Sequence, residues 1–548
     1  MISWIKDLLL LTLIIGVLFG ATVGRYPLAA PDGGRYGEIP REMVVTGDYI
    51  TPNLNGVKYF EKPPLFYWLQ ATSIKFLGVN DFAVSIVNAL MALATTLCIY
   101  FTSRKLYGRL QGVISSFIFA TSSLVFALTR AITIDVTLTF FLTGSLCSFL
   151  LATQLPTSIK RTLYLWVAYA FAAFAVMTKG LIGIVFLGII ALIWLTICNQ
   201  WRNIKTYRII SGLFIFLLIA LPWHILVQIK NPEFFKFYFI EQHFLRYLTD
   251  YAGRSQKWWF LPTLLFAGLY PWMAFFPQTI IHHVPKHLEE WKQPKSTTFL
   301  LIWIIVIYTF YTFSNSKLIP YILPIFPPIA MLIGNYFAAH WQNQKSNQIT
   351  IGFWMLFIVN IALGISAIVA TFILDFNEQA FSKQNLYIVA SGMITSAIAI
   401  IISYKKRGLA SGFVTLTIIT AALWLYISPI ISTVNRQSIK PLITTLQQTL
   451  KPEDEVISYG AYYQDLPFYL QRIITVANFE GELSFGIHHQ DASSWMIDQK
   501  TFWERWNGNK VVYLITSEGN YRNLQPTAPD KMRIIAKHFD TLLVINTK

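Results

Sequence analysis

The chain has 548 residues, of which 55% are hydrophobic, 16% aromatic and only 13% charged, with a mean hydropathy of +0.50. That balance excludes intrinsic disorder, a coiled coil, collagen and a soluble enzyme, and apolar stretches of about 18 to 25 residues are long enough to cross ~30 Å of hydrocarbon. The net charge of +16 does not indicate nucleic acid, because the basic residues lie in small groups between apolar stretches and form no basic face.

Hydropathy predicts about thirteen membrane spans, over residues 7-24, 82-103, 112-128, 134-152, 163-178, 181-198, 209-228, 259-281, 298-313, 320-338, 350-373, 386-403 and 409-428. With the N-terminus in the cytoplasm, the inner loops hold Arg104, Lys105 and Arg109, then Lys160 and Arg161, then Arg202, Lys205 and Arg208, and later Lys405, Lys406 and Arg407. The short outer loops hold only Arg130, Lys179, Lys317 and Lys383. This asymmetry follows the positive-inside rule and places two long segments, 25-81 and 229-258, on the outer side together with the C-terminal region. Cys98, Cys147 and Cys198 fall inside apolar stretches and read as small buried hydrophobes.

In the first outer segment, Asp32, Arg35, Tyr36, Glu38, Arg41 and Glu42 crowd together where the chain leaves the bilayer. Solvated salt bridges on a loop would be the plain explanation, but so many ionisable groups are unusual in a short turn. Farther on, Lys62-Pro63-Pro64 opens a run in which Leu65, Trp68, Leu69, Thr72 and Phe76 share a helical face, the pattern of an interfacial helix. Lys62 at that helix start suits a phosphate; a snorkelling lysine is the alternative.

Three short outer turns carry a cation against the topological bias: Arg130, with Asp135 following it, Lys179, and Lys317. An ionisable group at the membrane boundary is costly if unpaired, so each is a candidate functional residue. With Lys62 they would make a cationic pocket at the bilayer surface, suited to a lipid phosphate. Asp135 fits either an ion pair with Arg130 or another loop residue, or a contact to substrate. In the second outer segment His243, Arg246 and Asp250 are spaced to share one face of an amphipathic helix. From about residue 436, strand-like runs at 455-459, 473-477, 510-516 and 541-545 alternate with helix-like runs at 439-450 and 501-506, which predicts a small outward-facing α/β domain.

Several of these runs together resemble a known family. Asp32 just after the first span, Arg35-Tyr36-Gly-Glu38-Ile-Pro-Arg41-Glu42-Met43, Tyr59-Phe60-Glu61-Lys62-Pro63-Pro64, Asp135, Lys317-Leu-Ile-Pro-Tyr321-Ile-Leu-Pro324 and Glu482-Leu-Ser-Phe-Gly486 are similar to the aminoarabinose transferases. These belong to the GT-C glycosyltransferases and are related to the protein O-mannosyltransferases. The resemblance implies a polytopic α-helical membrane protein with a GT-C domain over residues 1-435 and a periplasmic α/β domain over 436-548. It implies an inverting transfer of a sugar, aminoarabinose or a related amino sugar, from undecaprenyl phosphate to a lipid A phosphate at the periplasmic face of a bacterial inner membrane.

By position, the resemblance implies that Asp32 and Asp135 frame the reaction centre with Lys62. Arg35, Tyr36, Tyr59, Tyr321 and Lys62 itself would hold the donor phosphate, with Lys179 and Arg246 as further transfers. Glu61 with His243 would bind a divalent metal ion, zinc or another, and no organic cofactor is implied. The expected partners are the sugar donor, lipid A or its precursor, and membrane lipids, with no nucleic acid. One departure stands out: the superfamily usually has two adjacent acids in the first loop, and here Asp32 is followed by Gly33. Two other readings fit part of the pattern. The same chemistry could serve a protein or another envelope glycan, with Asp32 as general base for a hydroxyl acceptor. A lipid or solute transporter would instead place charged sites near mid-membrane and show repeated halves.

Overall fold

A computed structural model gives the structure of the chain and describes residues 2–245, 253, 255–342, 347–373, 382–433, 438–527 and 532–546. Helix occupies each of the apolar stretches read above. Among the described residues nine helices are long and apolar enough, by length and composition, to cross a membrane. The longest, Lys383–Thr433, is two helical runs joined at Gly408, whose φ of 81° a glycine adopts without strain. One expected span is broken: Phe260–Leu269 and Trp272–His283 meet at an angle of 103°. Pro271, which lacks an N–H and restricts the residue before it, stands at that break.

The first ten helices place the chemistry. They are α1 (Ile2–Gly20), α2 (Asp32–Thr46), α3 (Leu65–Leu77), α4 (Asp81–Tyr107), α5 (Arg109–Thr121), α6 (Ser123–Leu128), α7 (Ile134–Thr153), α8 (Ile159–Lys179), α9 (Ile182–Ile197) and α10 (Ile209–Lys230). Side-chain caps start the membrane helices where polar residues interrupt the apolar run: Asn80 accepts from Ala83 N–H at α4, and Ser158 from Arg161 N–H at α8. Arg104 and Lys105 fall in the last turn of α4, where cations meet the free carbonyls. α7 and α8 pack antiparallel and close, so that a Cβ on Gly144 would lie 2.0 Å from the Phe171 ring. α7 therefore begins, and α8 ends, at the same face.

The segment between α1 and α4 is folded rather than looped. α2 is buried along Gly33–Met43, a two-stranded hairpin follows as β1 (Asn53–Leu54) and β2 (Val57–Lys58), and α3 begins behind Pro64. On α3 the face bearing Phe66, Tyr67, Gln70, Ala71 and Ile74 is buried, leaving Thr72 and Phe76 exposed on the side read as interfacial. In the second outer segment Lys236–Leu245 winds as a π-helix rather than an α-helix. The wider winding changes which residues share a face within Lys236–Leu245; the face expected of His243, Arg246 and Asp250 runs beyond the described residues.

The C-terminal region holds a six-stranded sheet in the order β5-β4-β3-β6-β8-β7, with β3 (Glu455–Tyr459), β4 (Thr475–Ala477), β5 (Met496–Ile497) and β6 (Val512–Ser517) parallel. β8 (Thr541–Asn546) runs antiparallel to β6, and β7 (Met532–His538) pairs antiparallel at the edge. One apolar cluster joins Leu28, Tyr36 and Ile39 of the first outer segment to Leu442, Leu466 and Phe468 of this region. Asn55 in the hairpin turn acts as a strand-like bridge, donating to Ile474 O at 3.0 Å and accepting from Ile474 N–H at 2.9 Å.

Candidate active site

α2 begins with Asp32 and presents Arg35 one turn later toward the C-terminal region. Arg35 Nη2 donates to Glu482 Oε2 at 2.6 Å, and Nη1 lies 3.4 Å from Asp32 Oδ1. The Tyr59 hydroxyl donates to the same Glu482 oxygen at 3.2 Å, its ring 5.6 Å from the guanidinium carbon, while Gln464 Nε2 holds the other oxygen at 2.6 Å. Burial raises the Glu482 carboxyl above its ordinary range, Arg35 and Gln464 working against it. For Arg35 burial works to lower the ionisation, but Tyr59, Glu482, Glu61 and Asp32 outweigh it and keep the cation charged. Arg35 Nε and the Tyr67 hydroxyl are buried without a hydrogen-bond partner among the described residues. Buried donors of this kind cost free energy unless something accepts from them.

The second half of the site comes from α7 and α8. Thr133 caps α7 with Asp135 in its first turn, and Lys179 is in the last turn of α8. Lys179 Nζ donates to Asp135 Oδ1 and lies 4.2 Å from the centroid of the Tyr321 ring. Thr133 Oγ1 donates to the other Asp135 oxygen at 3.2 Å. Tyr36 stands between the halves: its ring is 5.3 Å from Phe66 and 6.0 Å from Tyr67. Burial, then the fields of Asp32, Tyr67 and Asp135, raise its hydroxyl well above the usual range, so it is a proton donor at neutral pH.

The structure thus gathers Arg35, Tyr59 and Gln464 around Glu482 with Asp32 beside Arg35, joins Asp135 and Lys179 next to Tyr321, and sets Tyr36 where the charges of both Asp32 and Asp135 reach it. Glu61 lies close enough for its charge to act on Arg35, Tyr59 and Glu482, and Lys62 Nζ donates to Glu61 O at 2.9 Å. Lys317 Nζ donates to Ser314 O at 2.6 Å. Arg130 is spent elsewhere: it donates to Leu18 O, Thr22 Oγ1, Phe126 O and Thr129 Oγ1 and stacks 3.4 Å over the Phe126 ring. It caps the carbonyl end of α1, and Asp135 pairs with Lys179 instead. The His243 side chain, Arg246 and Asp250 lie outside the described residues. Among the described residues no group of three or more His, Cys, Asp or Glu side chains is gathered as a metal centre.

Two contributors, Gln464 and Tyr67, were not visible to sequence reasoning. Gln464 sits in a region without any catalytic motif, and Tyr67 falls in the run read as an interfacial helix, off its named face. Gly33, where a second acid is usual, is close-packed: a Cβ there would lie 3.2 Å from the carbonyl carbon of Leu28. The C-terminal region also closes over the second outer segment, with Phe485 stacked on Phe237 at 4.0 Å and 5.7 Å from Phe60.

Known proteins are similar to both the membrane part and the C-terminal region of the chain. Residues 27–238 match the family model described as dolichyl-phosphate-mannose-protein mannosyltransferase, and residues 442–546 match that of the aminoarabinose transferase C-terminal domain. The chain is 26% identical over 487 residues to the undecaprenyl phosphate-alpha-4-amino-4-deoxy-L-arabinose arabinosyl transferase of Shewanella sediminis (strain HAW-EB3), covering 87% of each. It is 27% identical to arabinosyl transferase 2 of the same description from Proteus mirabilis (strain HI4320), covering 92% of this chain and 91% of the relative. In fold it is similar to the crystal structure of ArnT from Cupriavidus metallidurans bound to undecaprenyl phosphate, with a TM-score of 0.86 and 23% identity over 99% of this chain and 98% of that one.

Proposed function

Because the chain belongs to the aminoarabinose transferases of the GT-C superfamily, we propose that it moves 4-amino-4-deoxy-L-arabinose from undecaprenyl phosphate to a phosphate of lipid A. The observation that carries this reading is the buried Arg35, held by Glu482 and Tyr59 beside Asp32, with its Nε and the Tyr67 hydroxyl still unpartnered among the described residues. A phosphate ester brings acceptor oxygens for such donors. The multi-pass chain would lie in the inner membrane with the N-terminus inside and the sheet domain in the periplasm, as its basic loops favour.

In the transfer, an oxygen of the lipid A phosphate attacks the anomeric carbon from the face opposite the donor phosphate. The bond from that carbon to the donor oxygen breaks with its electron pair, undecaprenyl phosphate leaves, and the configuration inverts. Negative charge grows on the leaving phosphate, and Arg35 with Lys62, helped by the hydroxyls of Tyr36 and Tyr59, would stabilise it in a partly dehydrated pocket. A phosphate acceptor is already ionised at neutral pH, so no strong base is needed. Asp32 and the paired Asp135 would then face the positive charge developing at the anomeric carbon and the amino group of the sugar.

A divalent cation belongs to this proposal only through Glu61, whose carboxylate would be one ligand with His243; it would supply further positive charge at the phosphate. The steps above run on protein side chains alone. The test is mass spectrometry of lipid A from cells carrying the intact chain, an Asp32→Ala variant or no copy. A phosphate-linked sugar present with the intact chain alone supports the reading. Identical lipid A in all three would redirect the search to proteins and other envelope glycans.

A further inference from the structure

α2 carries a second set of ionisable residues beyond Asp32 and Arg35 that the transfer leaves unused. Arg41 Nε donates to Glu38 Oε2 and Nη2 to Glu38 Oε1, both at 2.6 Å, with both side chains buried. Glu42 is also buried, yet no salt bridge joins it to a cation among the described residues. Its two oxygens each lie 3.1 Å from the Gly56 N–H donor nitrogen in the hairpin turn, and Glu38, one turn earlier on α2, is near enough for its charge to act on Glu42. Two neighbouring buried carboxyl groups cannot both stay ionised cheaply unless each has a cation. Glu38 already accepts both edges of Arg41, so Glu42 is the one left without a partner charge and the one that keeps its proton.

Charge counting gives the same assignment. Arg41 balances Glu38 and Arg35 balances Glu482, which leaves Glu42 as the odd acid in a buried run where a lone anion is expensive. The groups facing it are few. Its own helix offers Glu38 and Arg41, and the hairpin offers the Gly56 N–H. From the C-terminal region Tyr462 faces both glutamates, its hydroxyl buried and without a hydrogen-bond partner among the described residues. The buried face of α3 brings Phe66, Tyr67, Gln70, Ala71 and Ile74, none of them charged.

We propose that Glu42 is a neutral carboxylic acid at physiological pH and a positioning residue for the transfer: accepting from the Gly56 N–H, it fixes α2 to the hairpin turn. The consequence is geometric. α2 carries Asp32, Arg35 and Tyr36, while the strand leaving the turn leads directly to Tyr59, Glu61 and Lys62. Glu42 therefore sets the spacing between the two groups that would grip the donor phosphate. Burial, reinforced by the neighbouring Glu38, pushes its ionisation well above the usual carboxylate range. Raising the pH would ionise Glu42 against Glu38 and loosen the tie.

The kinetic part of this inference rests on the proposed transfer reaction; the protonation and the tie are measured without it. The comparison is the purified full chain with Glu42→Gln and Glu42→Ala. Infrared difference spectra at neutral pH are expected to show a carboxylic-acid C=O stretch that both variants lack; a band unchanged in Glu42→Gln overturns the protonation. Amide hydrogen exchange at Gly56 and along α2 should stay slow in Glu42→Gln and speed up in Glu42→Ala; equal exchange in all three overturns the positioning role. In the transfer assay Glu42→Gln, which keeps a neutral donor and acceptor, should hold kcat and KM while losing the alkaline fall in rate. Glu42→Ala should lose about tenfold or more in kcat/KM. A Glu42→Gln variant as impaired as Glu42→Ala would mean that the carboxylate itself is required. If Glu42→Ala fails to fold, the infrared band and the Glu42→Gln pH profile still decide. If the wild-type chain transfers no sugar, the functional reading falls, while the band and the exchange rates still test Glu42.

Discussion

Arg35 and Glu482 form a 2.6 Å ion pair between the first outward helix and the C-terminal sheet region, so one half of the candidate site is completed by a residue from the far end of the chain. Glu482 is in turn held by Tyr59 and Gln464. Removing one partner of a buried ion pair strands the other charge, at a cost of about 3–5 kcal/mol. Glu482→Ala is therefore expected to lower kcat/KM for sugar transfer by about 100-fold or more, with Glu482→Gln retaining more activity because it still accepts from Arg35. Kinetics on the two purified variants check the order; an Ala variant as active as wild type would remove Glu482 from the site.

Lys179 and Asp135 make the second pair, formed because antiparallel α7 and α8 bring a first turn and a last turn to one face. Each single neutralisation, Asp135→Asn or Lys179→Met, leaves an unpaired charge at the membrane boundary. The double variant leaves none. A double-mutant cycle on the thermal stability of the detergent-solubilised chain should show coupling of about 1–3 kcal/mol, with the double variant more stable than the sum of the singles predicts. Additive effects would mean that the pair contributes nothing to the fold.

Much of this was legible in the sequence, and the gaps have physical causes. The apolar runs announce helices, since each needs only its own residues to satisfy its backbone in lipid. The strands at 455-459 and 541-545 were legible from their short apolar runs, although their backbone partners come from other strands of the sheet. The edge strand Met532–His538 was not, because only Met532 on it is buried and Arg533, Lys537 and His538 flank the short Ile534-Ile535-Ala536 run on both sides. Asp32, Arg35 and Asp135 were marked by the cost of placing charge near a bilayer. The partner of Asp135 was not, because sequence nearness favoured Arg130, whereas helix packing delivers Lys179. Arg130 instead finds the free carbonyls at the end of α1, a partner that only the three-dimensional arrangement supplies.

Gly34 tests how tightly the C-terminal region must seat on α2. A Cβ at this position would lie 2.4 Å from both Asp465 N and the Gln464 carbonyl carbon. Those atoms are backbone and cannot rotate away, so Gly34→Ala must push the two elements apart, at about 1–3 kcal/mol or more. The Gln464 amide would lose its grip on Glu482, and Arg35 would follow. Limited proteolysis should cut the variant faster between the membrane part and the sheet region, and transfer should fall. Unchanged cleavage and unchanged transfer would show that the seat has slack.

The same seat contains a group that makes its stability depend on pH. Asp465 is fully buried; its Oδ2 accepts from Ser438 Oγ and Ile439 N–H, both at 3.0 Å, and its Oδ1 has no hydrogen-bond partner among the described residues. Burial pushes the carboxyl from an ordinary 3.8 up to about 7. Between those values the folded chain keeps a proton that the unfolded chain releases, so the unfolded state binds fewer protons and stability falls as pH rises. The contribution is full below about 3.8, shrinks through the window and is gone above about 7. Three units correspond to an upper bound of about 4 kcal/mol. The nearby pair of Lys440 with Asp81, and the 2.6 Å bond from the Tyr469 hydroxyl to Asp81, tie the same region to the start of α4. Unfolding of the C-terminal region, followed by its tryptophan fluorescence in the full chain, should shift to lower denaturant as pH rises from about 5 to about 8. Asp465→Asn, neutral throughout, should flatten that shift; an equal shift in the variant would assign the dependence to groups other than Asp465.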